Sequence, residues 1–256
     1  MLNYAPIDTY CRMLQTLNEL SAQQVSGCLP DEMLGKIAAA GASLLPVSIC
    51  SIWRREAAPA PGLLRLEAVC GGGRGRTLSP VVKLSESISQ QVLENERPLV
   101  ISDLTALPPS AEGIMAGGFG LNALVCVPVF INGQHPGGVL IGFAEDGHAF
   151  SDLEALLAEA LARQIGVVWH MEALQGQTQR MKTELETRKR VDRAKEILVD
   201  QRRMTAEEAY GWIRKRSMDT RRSMRDVAET IILAEETGHY SSIPHALDLF
   251  SKLPRK

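Results

Sequence analysis

The sequence predicts an α+β domain that is joined by a long helix to a small all-α domain, and three observations lead to this prediction. Amphipathic helical patterns come first and are followed by short strand-like runs, an order typical of α+β folds. Residues 151–203 then contain no proline and keep a helical spacing of apolar residues. Residues 188–236 carry three short helical blocks that are separated by polar connections.

Two helices are expected at the amino end of the chain. Residues 7–24 have apolar side chains on one helical face, and they lie within an amino-terminal segment, residues 1–27. After a Gly and Pro turn, apolar residues at helical spacing predict a second helix that ends near Gly41.

Short apolar runs bounded by Gly, Pro or Asn then predict a sheet. The expected strands cover residues 47–53, 63–70, 98–101, 123–131 and 138–143. A helix is expected at 85–95, and Asn132-Gly133 favours a tight hairpin turn. Because Gly and Pro fill residues 108–120, we expect a flexible lid there. This order predicts an antiparallel sheet with its helices on one side.

Two stretches of this domain are similar to the GAF domain family. They are the PLVISD strand at residues 98–103 and the hairpin LVCVPVFINGQHPGGVLIGF at residues 124–143. The resemblance covers residues 28–170, with the domain itself at 28–150. It implies a cavity between the sheet and the helix and loop layer, in which family members bind small molecules or chromophores. Here residues 85–122 would bound the cavity, and its polar candidates are Asp103, Asn122 and Cys126.

The connecting segment, residues 151–187, begins with a capping box at Ser151 and Glu154 and predicts one helix of about 53 residues. Its seam alternates by four and three residues. The seam positions are Leu153, Leu157, Ala160, Gln164, Val167, Met171, Leu174, Thr178, Met181, Leu185 and Arg188. Such heptads predict a partner helix, most simply that of a second copy in a parallel homodimer. Gln164, Thr178, Gly166 and Gly176 weaken the seam. The helix is then either a signalling element or a passive tether.

The charge of the chain is concentrated in one stretch. Residues 188–228 hold 13 Lys or Arg against 7 Asp or Glu, a net charge of +6, whereas the whole chain carries −2. The rest of the chain therefore carries −8. This asymmetry indicates a polyanionic partner, and solvated helix faces are the alternative.

The three blocks in this region have helix-start signals. Thr205 with Glu208 forms a capping box, and Ser223 with Asp226 forms a weaker one. The pattern resembles the ANTAR domain, the RNA-binding module of AmiR and NasR type antitermination regulators. The matching residues are Arg188, Val191, Ala194-Lys195, Ile197-Leu198, Glu208-Ala209-Tyr210, Ile213, Ser217, Arg222 and Met224-Arg225-Asp226-Val227-Ala228. Glu196 and Val199 depart from the family pattern, which has Gly and Met there. The resemblance implies a three-helix bundle over residues 188–236 that binds RNA stem-loops.

Cations and one aromatic residue are the candidates for RNA binding. Arg188, Lys195 and Arg202 are seven residues apart and would form one row along a helix, suited to phosphates. The further cations are Arg214, Arg216, Arg222 and Arg225. We expect Trp212 to be exposed, where it would stack on an unpaired base or contact another domain or subunit. Tyr210 is expected in the core.

Other chemistry has little support in the sequence. Five scattered cysteines without a CxxC pair and five isolated histidines argue against a metal site or a disulfide framework. No nucleophile motif is present, so we expect no enzyme, no catalytic residue and no metal, and the cofactor is unassigned. The absence of a signal peptide and of an 18-residue apolar run leads us to expect a cytoplasmic protein without membrane contact.

The sequence therefore predicts a signal-responsive, homodimeric antiterminator that binds stem-loops of leader RNA, with a possible small-molecule ligand in its amino-terminal domain. A DNA-binding regulator is one alternative, because a three-helix bundle can also dock in a major groove. An adaptor that binds only proteins is another. The tail, residues 237–256, is expected to hold a short helix after Pro244.

Overall fold

The computed structural model describes residues 5–25, 28–56, 62–72, 78–85, 87–145 and 147–237. The chain divides into two compact units, Met1–Ala173 and Leu174–Lys256. The expected helix of the tail lies outside the described residues. Among the helices that are described, none has the length and the apolar character that crossing a membrane requires.

The first unit is built around a six-stranded antiparallel sheet. Its helices and strands in chain order are α1 (Ala5–Val25), α2 (Pro30–Leu44), β1 (Ile49–Arg55), β2 (Leu63–Gly71), β3 (Val81–Lys83), α3 (Ile88–Asn95), β4 (Leu99–Ile101), a 3-10 turn (Leu104–Ala106), α4 (Ala111–Gly118), β5 (Ala123–Ile131), β6 (His135–Ala144) and the start of α5 (Asp152–Arg202). The strand order is β3-β2-β1-β6-β5-β4. Asn132 and Gly133 both have positive φ, as the predicted tight hairpin turn between β5 and β6 requires.

Helices cover both faces of this sheet, so the expectation of helices on one side was wrong. Alternate residues of β5 face opposite layers: Val125 and Val127 pack with α1, α2 and α5, while Leu124 and Cys126 pack with α3 and α4. Because β5 is buried on both faces, its sequence is a continuous apolar run rather than an alternating one.

The expected flexible lid at residues 108–120 contains a helix, α4. Ser110 caps it by accepting a hydrogen bond from the Gly113 N–H at 3.0 Å. Glu112, in its first turn, is buried. The glycines of this segment hid the helix from the sequence, because a short amphipathic pattern that is rich in glycine also fits a loop.

The first half of α5 lies directly against the sheet. A Cβ on Gly166 would be 2.3 Å from the Phe130 carbonyl oxygen, so the helix and β5 are in backbone contact. The fully buried Trp169 fills space above Gly138 of β6, where a Cβ would be 2.7 Å from its ring. The Arg54 guanidinium of β1 lies 4.7 Å from the centre of the Trp169 ring and bonds to Glu172 of α5 at 2.7 Å.

The second unit contains the rest of α5, then α6 (Ala206–Thr220) and α7 (Met224–Glu236). Both predicted capping boxes are present, at Thr205 with Glu208 and at Ser223 with Asp226. The helices share one core, formed by Val191, Ala194, Ile197, Leu198, Ala209, Ile213, Val227, Ala228 and Ile231. The connection expected from Ser217 is shorter than predicted, because α6 continues to Thr220 and ends at Arg221, which has a φ of 53°.

Candidate functional site

The cations of the second unit fall into two classes, those with an acidic partner and those without. Several cations of α5 and α7 are paired with carboxylates. Lys195 bonds to Asp192 at 2.7 Å, and Arg225 bonds to Glu229 at 2.8 Å and lies 3.8 Å from Glu186. Lys195 and Arg225 are thus each engaged with a carboxylate, in partly exposed ion pairs that contribute at most about 1 kcal/mol.

Other cations carry no such partner. Within the described part of the chain, no ion pair or side-chain hydrogen bond is recorded for Arg188, Arg214, Lys215 or Arg221. All four are exposed. Lys189 of α5 and Arg203, which follows α5, are exposed and without a recorded partner in the same way, so the unpaired positive charge is shared between α5 with its carboxyl end and α6 with its carboxyl end. Within the predicted row of Arg188, Lys195 and Arg202, only Arg188 is both exposed and without an acidic partner.

Trp212 is not exposed as expected. The residue is half-buried and packs against the core of the bundle, while the Arg202 guanidinium lies 5.5 Å from the centre of its ring. Arg202 is itself half-buried by this contact. Stacking a base on Trp212 would require Arg202 to leave, so the two residues form a structural pair in this conformation.

The expected burial of Tyr210 was also wrong. We expected it in the core, but it is 45% exposed on the outer face of α6. The helix buries Ala209 and Ile213, and Tyr210 and Trp212 lie on either side of this buried stripe. The burial of each therefore depends on which other segment packs beside it. Trp212 packs against the core and lies under the Arg202 guanidinium, whereas Tyr210 is left open.

Two further predicted cations are half-buried. Arg216 lies in the last turns of α6, and Arg222 follows its αL cap. The backbone of Arg222 helps to close α6, because its N–H donates to the Ser217 carbonyl at 3.1 Å and its carbonyl accepts from the Ser217 hydroxyl. Arg222 thus has a role in shaping this end of α6.

The predicted seam of α5 is exposed only along part of its length. Leu157 is buried in the core of the first unit, and Gln164 donates a hydrogen bond to Ser21 of α1 at 3.2 Å. From Val167 onward the apolar seam residues are open to solvent: Val167 44%, Met171 38%, Leu174 46%, Met181 60% and Leu185 59% exposed. The seam available to a partner helix therefore begins at Val167.

The three polar candidates for the sensor cavity are not brought together. Asp103 is exposed and accepts from the Thr105 side chain and backbone, contacts that hold the pKa of its carboxyl below the ordinary value. The backbone of Asn122 makes two hydrogen bonds: its carbonyl accepts from the Leu104 N–H at 2.7 Å, and its N–H donates to the Ala144 carbonyl at 3.2 Å. Cys126 is fully buried, which raises the pKa of its thiol well above the ordinary value.

A cavity of about 490 Å³ lies between α3 and the strands β1, β2 and β3. Its polar and charged lining includes Arg55, Lys83, Gln90 and Glu94, over an apolar floor that includes Leu63, Leu84 and Leu93. Its lining residues Gln90, Leu93 and Glu94 fall within the range 85–122 that was expected to bound a cavity. Arg55 and Lys83 lie outside that range, because they are separated in sequence and the pairing of β1 and β3 with β2 brings them together.

A buried carboxylate joins α4 to α3. Glu112 is 1% exposed and accepts hydrogen bonds from the Ile88 N–H at 3.0 Å, the Ser89 N–H at 2.9 Å and the Ser89 hydroxyl at 2.5 Å. A carboxylate at a helix amino end is stabilised by the unpaired N–H groups and the helix dipole. Glu112 therefore holds the start of α4 against the start of α3. Among the described residues, no cluster of three or more His, Cys, Asp or Glu is arranged to hold a metal ion.

Comparison with known proteins agrees with this division of the chain. The model of the GAF domain family matches residues 30–170, and that of the ANTAR domain matches residues 179–232. A 60-residue segment is 42% identical to the transcriptional regulatory protein PdtaR of Mycobacterium tuberculosis. That segment covers 23% of this chain and 29% of the relative, so most of either protein lies outside the match.

Solved structures share the fold of the first unit. The GAF domain of a phosphoenolpyruvate-protein phosphotransferase from Coxiella burnetii superposes with a TM-score of 0.54 at 20% identity, over 64% of this chain and 96% of that one. The free methionine-R-sulfoxide reductase of Neisseria meningitidis superposes with a TM-score of 0.52 at 16% identity, over 63% of this chain and 91% of that one. At these identities the likeness establishes the fold alone, which serves binding domains and an enzyme alike. The chain belongs to the GAF domain family, and it joins its GAF domain through α5 to an ANTAR domain.

Proposed function

We propose that this protein is a signal-responsive transcription antitermination regulator whose ANTAR domain binds stem-loops of nascent leader RNA. The observation that carries the proposal is the group of exposed, unpaired cations at Arg188, Arg214, Lys215 and Arg221 on a chain whose net charge is −2. By binding these stem-loops, the ANTAR domain prevents a competing terminator hairpin from forming in the leader RNA. Such a role in transcription would place the protein in the cytoplasm.

Recognition of DNA by α7 has weaker support. A recognition helix needs side chains that are free to reach base edges from its exposed start. Arg225, the basic residue in the first turn of α7, is tied to Glu229, and the helix ends in Glu235 and Glu236. Its apolar residues Val227, Ala228 and Ile231 are used by the core.

The open seam of α5 supports a homodimer. Val167, Met171, Leu174, Met181 and Leu185 keep the heptad alternation while exposed to solvent, and leaving such a stripe uncovered is unfavourable. A second copy of α5 supplies a partner helix with the same spacing. The dimer would hold two ANTAR domains for two stem-loops.

The GAF domain supplies the sensor in this proposal. The cavity between α3 and the strands β1, β2 and β3 is lined by two cations against one acid, Glu94, and by apolar residues, which suits a small molecule with an anionic group and an apolar body. The first half of α5 is docked on the same sheet, so a change in the sheet reaches the helix that leads to the ANTAR domain. Catalysis plays no part in this proposal.

The test is binding of the full-length protein to an RNA with two stem-loops and to duplex DNA of matched length and charge, at one near-physiological salt concentration. The proposal expects at least tenfold tighter binding to the RNA, about 1.4 kcal/mol. Replacing Arg214 by Gln should weaken RNA binding. If one phosphate contact is lost, the negative slope of log K against log salt should become shallower by about 0.7.

Arg163→Gln is the matched control, because Arg163 is an exposed cation on the GAF part of α5. Its removal changes the net charge by the same amount. Equal binding to RNA and DNA, or equal losses in the two variants, would contradict the assignment of RNA binding to the ANTAR domain.

A further inference from the structure

The outer face of α6 presents an aromatic ring beside unpaired cations. Tyr210 is followed one turn later by Arg214 and two turns later by Met218, which is 62% exposed, so the three lie along one stripe of the helix. Lys215 is exposed beside this stripe. No ion pair is recorded for Arg214 or Lys215 among the described residues, so both charges are available to a ligand.

Gly211 lies in the interior of α6 without a structural requirement for glycine. A Cβ at this position would meet no described atom within 4 Å, and the residue does not have a positive φ. Glycine in a helix interior destabilises the fold relative to alanine, so folding alone favours alanine here. The missing side chain leaves the helix backbone bare beside Tyr210, where a flat group can approach closely.

Charge along α6 also favours an anionic ligand at this place. The acidic residues Glu207 and Glu208 lie in the first turn, where Glu208 completes the capping box. The carboxyl-terminal half carries Arg214, Lys215 and Arg216 against a single acid, Asp219. Tyr210 thus lies at the border of the positive half of the helix.

We propose that Tyr210, Gly211 and Arg214 form the base-contacting centre of the RNA surface. An unpaired loop base stacks on the Tyr210 ring above the bare backbone at Gly211, and Arg214 and Lys215 contact the phosphates on either side. Stacking on an exposed aromatic ring beside cations is the usual way in which single-stranded loops are held. This assignment rests on the proposed RNA-binding function, and it gives the stacking role to Tyr210 because Arg202 covers Trp212.

The experiment starts from a library of two-hairpin RNAs with fixed stems and randomised loops, enriched on the full-length wild-type protein. Dissociation constants for the enriched RNA are then measured for Tyr210→Ala, Tyr210→Phe and Gly211→Ala. Leu233→Ala is the matched control, because Leu233 is an apolar residue of α7 that is 55% exposed. Thermal unfolding and molar mass are recorded for every variant.

We expect Tyr210→Ala to weaken binding by about tenfold or more, and Tyr210→Phe, which keeps the ring, to stay within about threefold of the wild type. Gly211→Ala separates binding from folding. It should raise the melting temperature by about 2 °C while it weakens RNA binding, a combination that a purely structural role would not produce. Leu233→Ala should leave the affinity unchanged.

Two results would overturn the assignment of the base-contacting centre alone. One is wild-type affinity for RNA in both Tyr210→Ala and Gly211→Ala. The other is a change of molar mass in these variants without a change of RNA affinity, which would make the face a protein contact. If the wild-type protein enriches no RNA, the proposed function itself fails, and the assignment fails with it.

Discussion

Gly166 provides a direct test of how α5 is held on the GAF sheet. A Cβ at this position would be 2.3 Å from the Phe130 carbonyl oxygen, far below the ordinary contact distance of 3.4 Å. Gly166→Ala therefore requires α5 to move away from β5 by about 1 Å, which weakens the dispersion contacts of its neighbours. The buried residues Ile165 and Trp169 lie next to this contact on the same helix and would move with it.

The expected magnitude follows from two opposing terms. Overpacking against a backbone group costs about 3 kcal/mol, at the upper end of the usual range. Alanine offsets about 1 kcal/mol of this, because it is a better helix former than glycine. The net effect is a loss of about 2 kcal/mol in the free energy of unfolding, which lowers the urea midpoint by about 1 M at a slope of about 2 kcal/mol per M.

Gly176→Ala is the matched control on the same helix. A Cβ there would meet no described atom within 4 Å, so only the helix preference remains and the protein should gain about 1 kcal/mol. Unfolding in urea is followed by tryptophan fluorescence, since Trp53 and Trp169 are both fully buried in the first unit. An equal or higher midpoint for Gly166→Ala than for the wild type would refute the backbone contact between α5 and β5.

Three further predictions concern the dimer, the cysteines and a helix cap. Leu185→Glu should convert the proposed homodimer to a monomer, because it places a charge in the open seam; an unchanged mass in light scattering would argue against the seam. Cys11 is exposed and should react rapidly with a thiol reagent, whereas burial raises the pKa of Cys50 to about 12 and should protect it until unfolding; mass spectrometry identifies the labelled residue. The hydrogen bond from the Thr205 N–H lowers the pKa of Glu208, so Glu208→Ala should destabilise the ANTAR bundle at pH 7, and the difference from the wild type should vanish as the pH falls through that lowered value; a difference that persists in thermal melts at lower pH would contradict the cap.

Local patterns in the sequence predicted much of the fold because they depend on near neighbours. The capping boxes at Ser151, Thr205 and Ser223 join groups three residues apart, so they can be found without knowing the rest of the structure. The Asn132-Gly133 turn is local in the same sense. The glycine-rich α4 was missed, because its start depends on Ser110 while its packing depends on Glu112 reaching α3.

The candidate site was predicted less completely, because pairing and burial are set by distant segments. The sequence identifies the cations of the ANTAR domain, but it does not reveal that Lys195 is paired with Asp192 while Arg214 has no recorded ion pair. Likewise, the apolar run of β5 does not reveal which of its faces meets α3, so Cys126 was placed at a cavity although it lies in the core.

The sequence by itself determined the two families, the order of their elements and the helix that joins them, since these follow from motif, spacing and the absence of proline. Only the tertiary structure decided which side chains remain available. On α6, Tyr210 and Trp212 flank the same buried line, and the contact with Arg202 covers one of them and leaves the other open. On α5, packing within the first unit, including the contact with α1, covers the seam as far as Gln164, and the seam is exposed from Val167. Periodicity assigns a residue to a helix face, but availability depends on the element that packs there, which can come from anywhere in the chain.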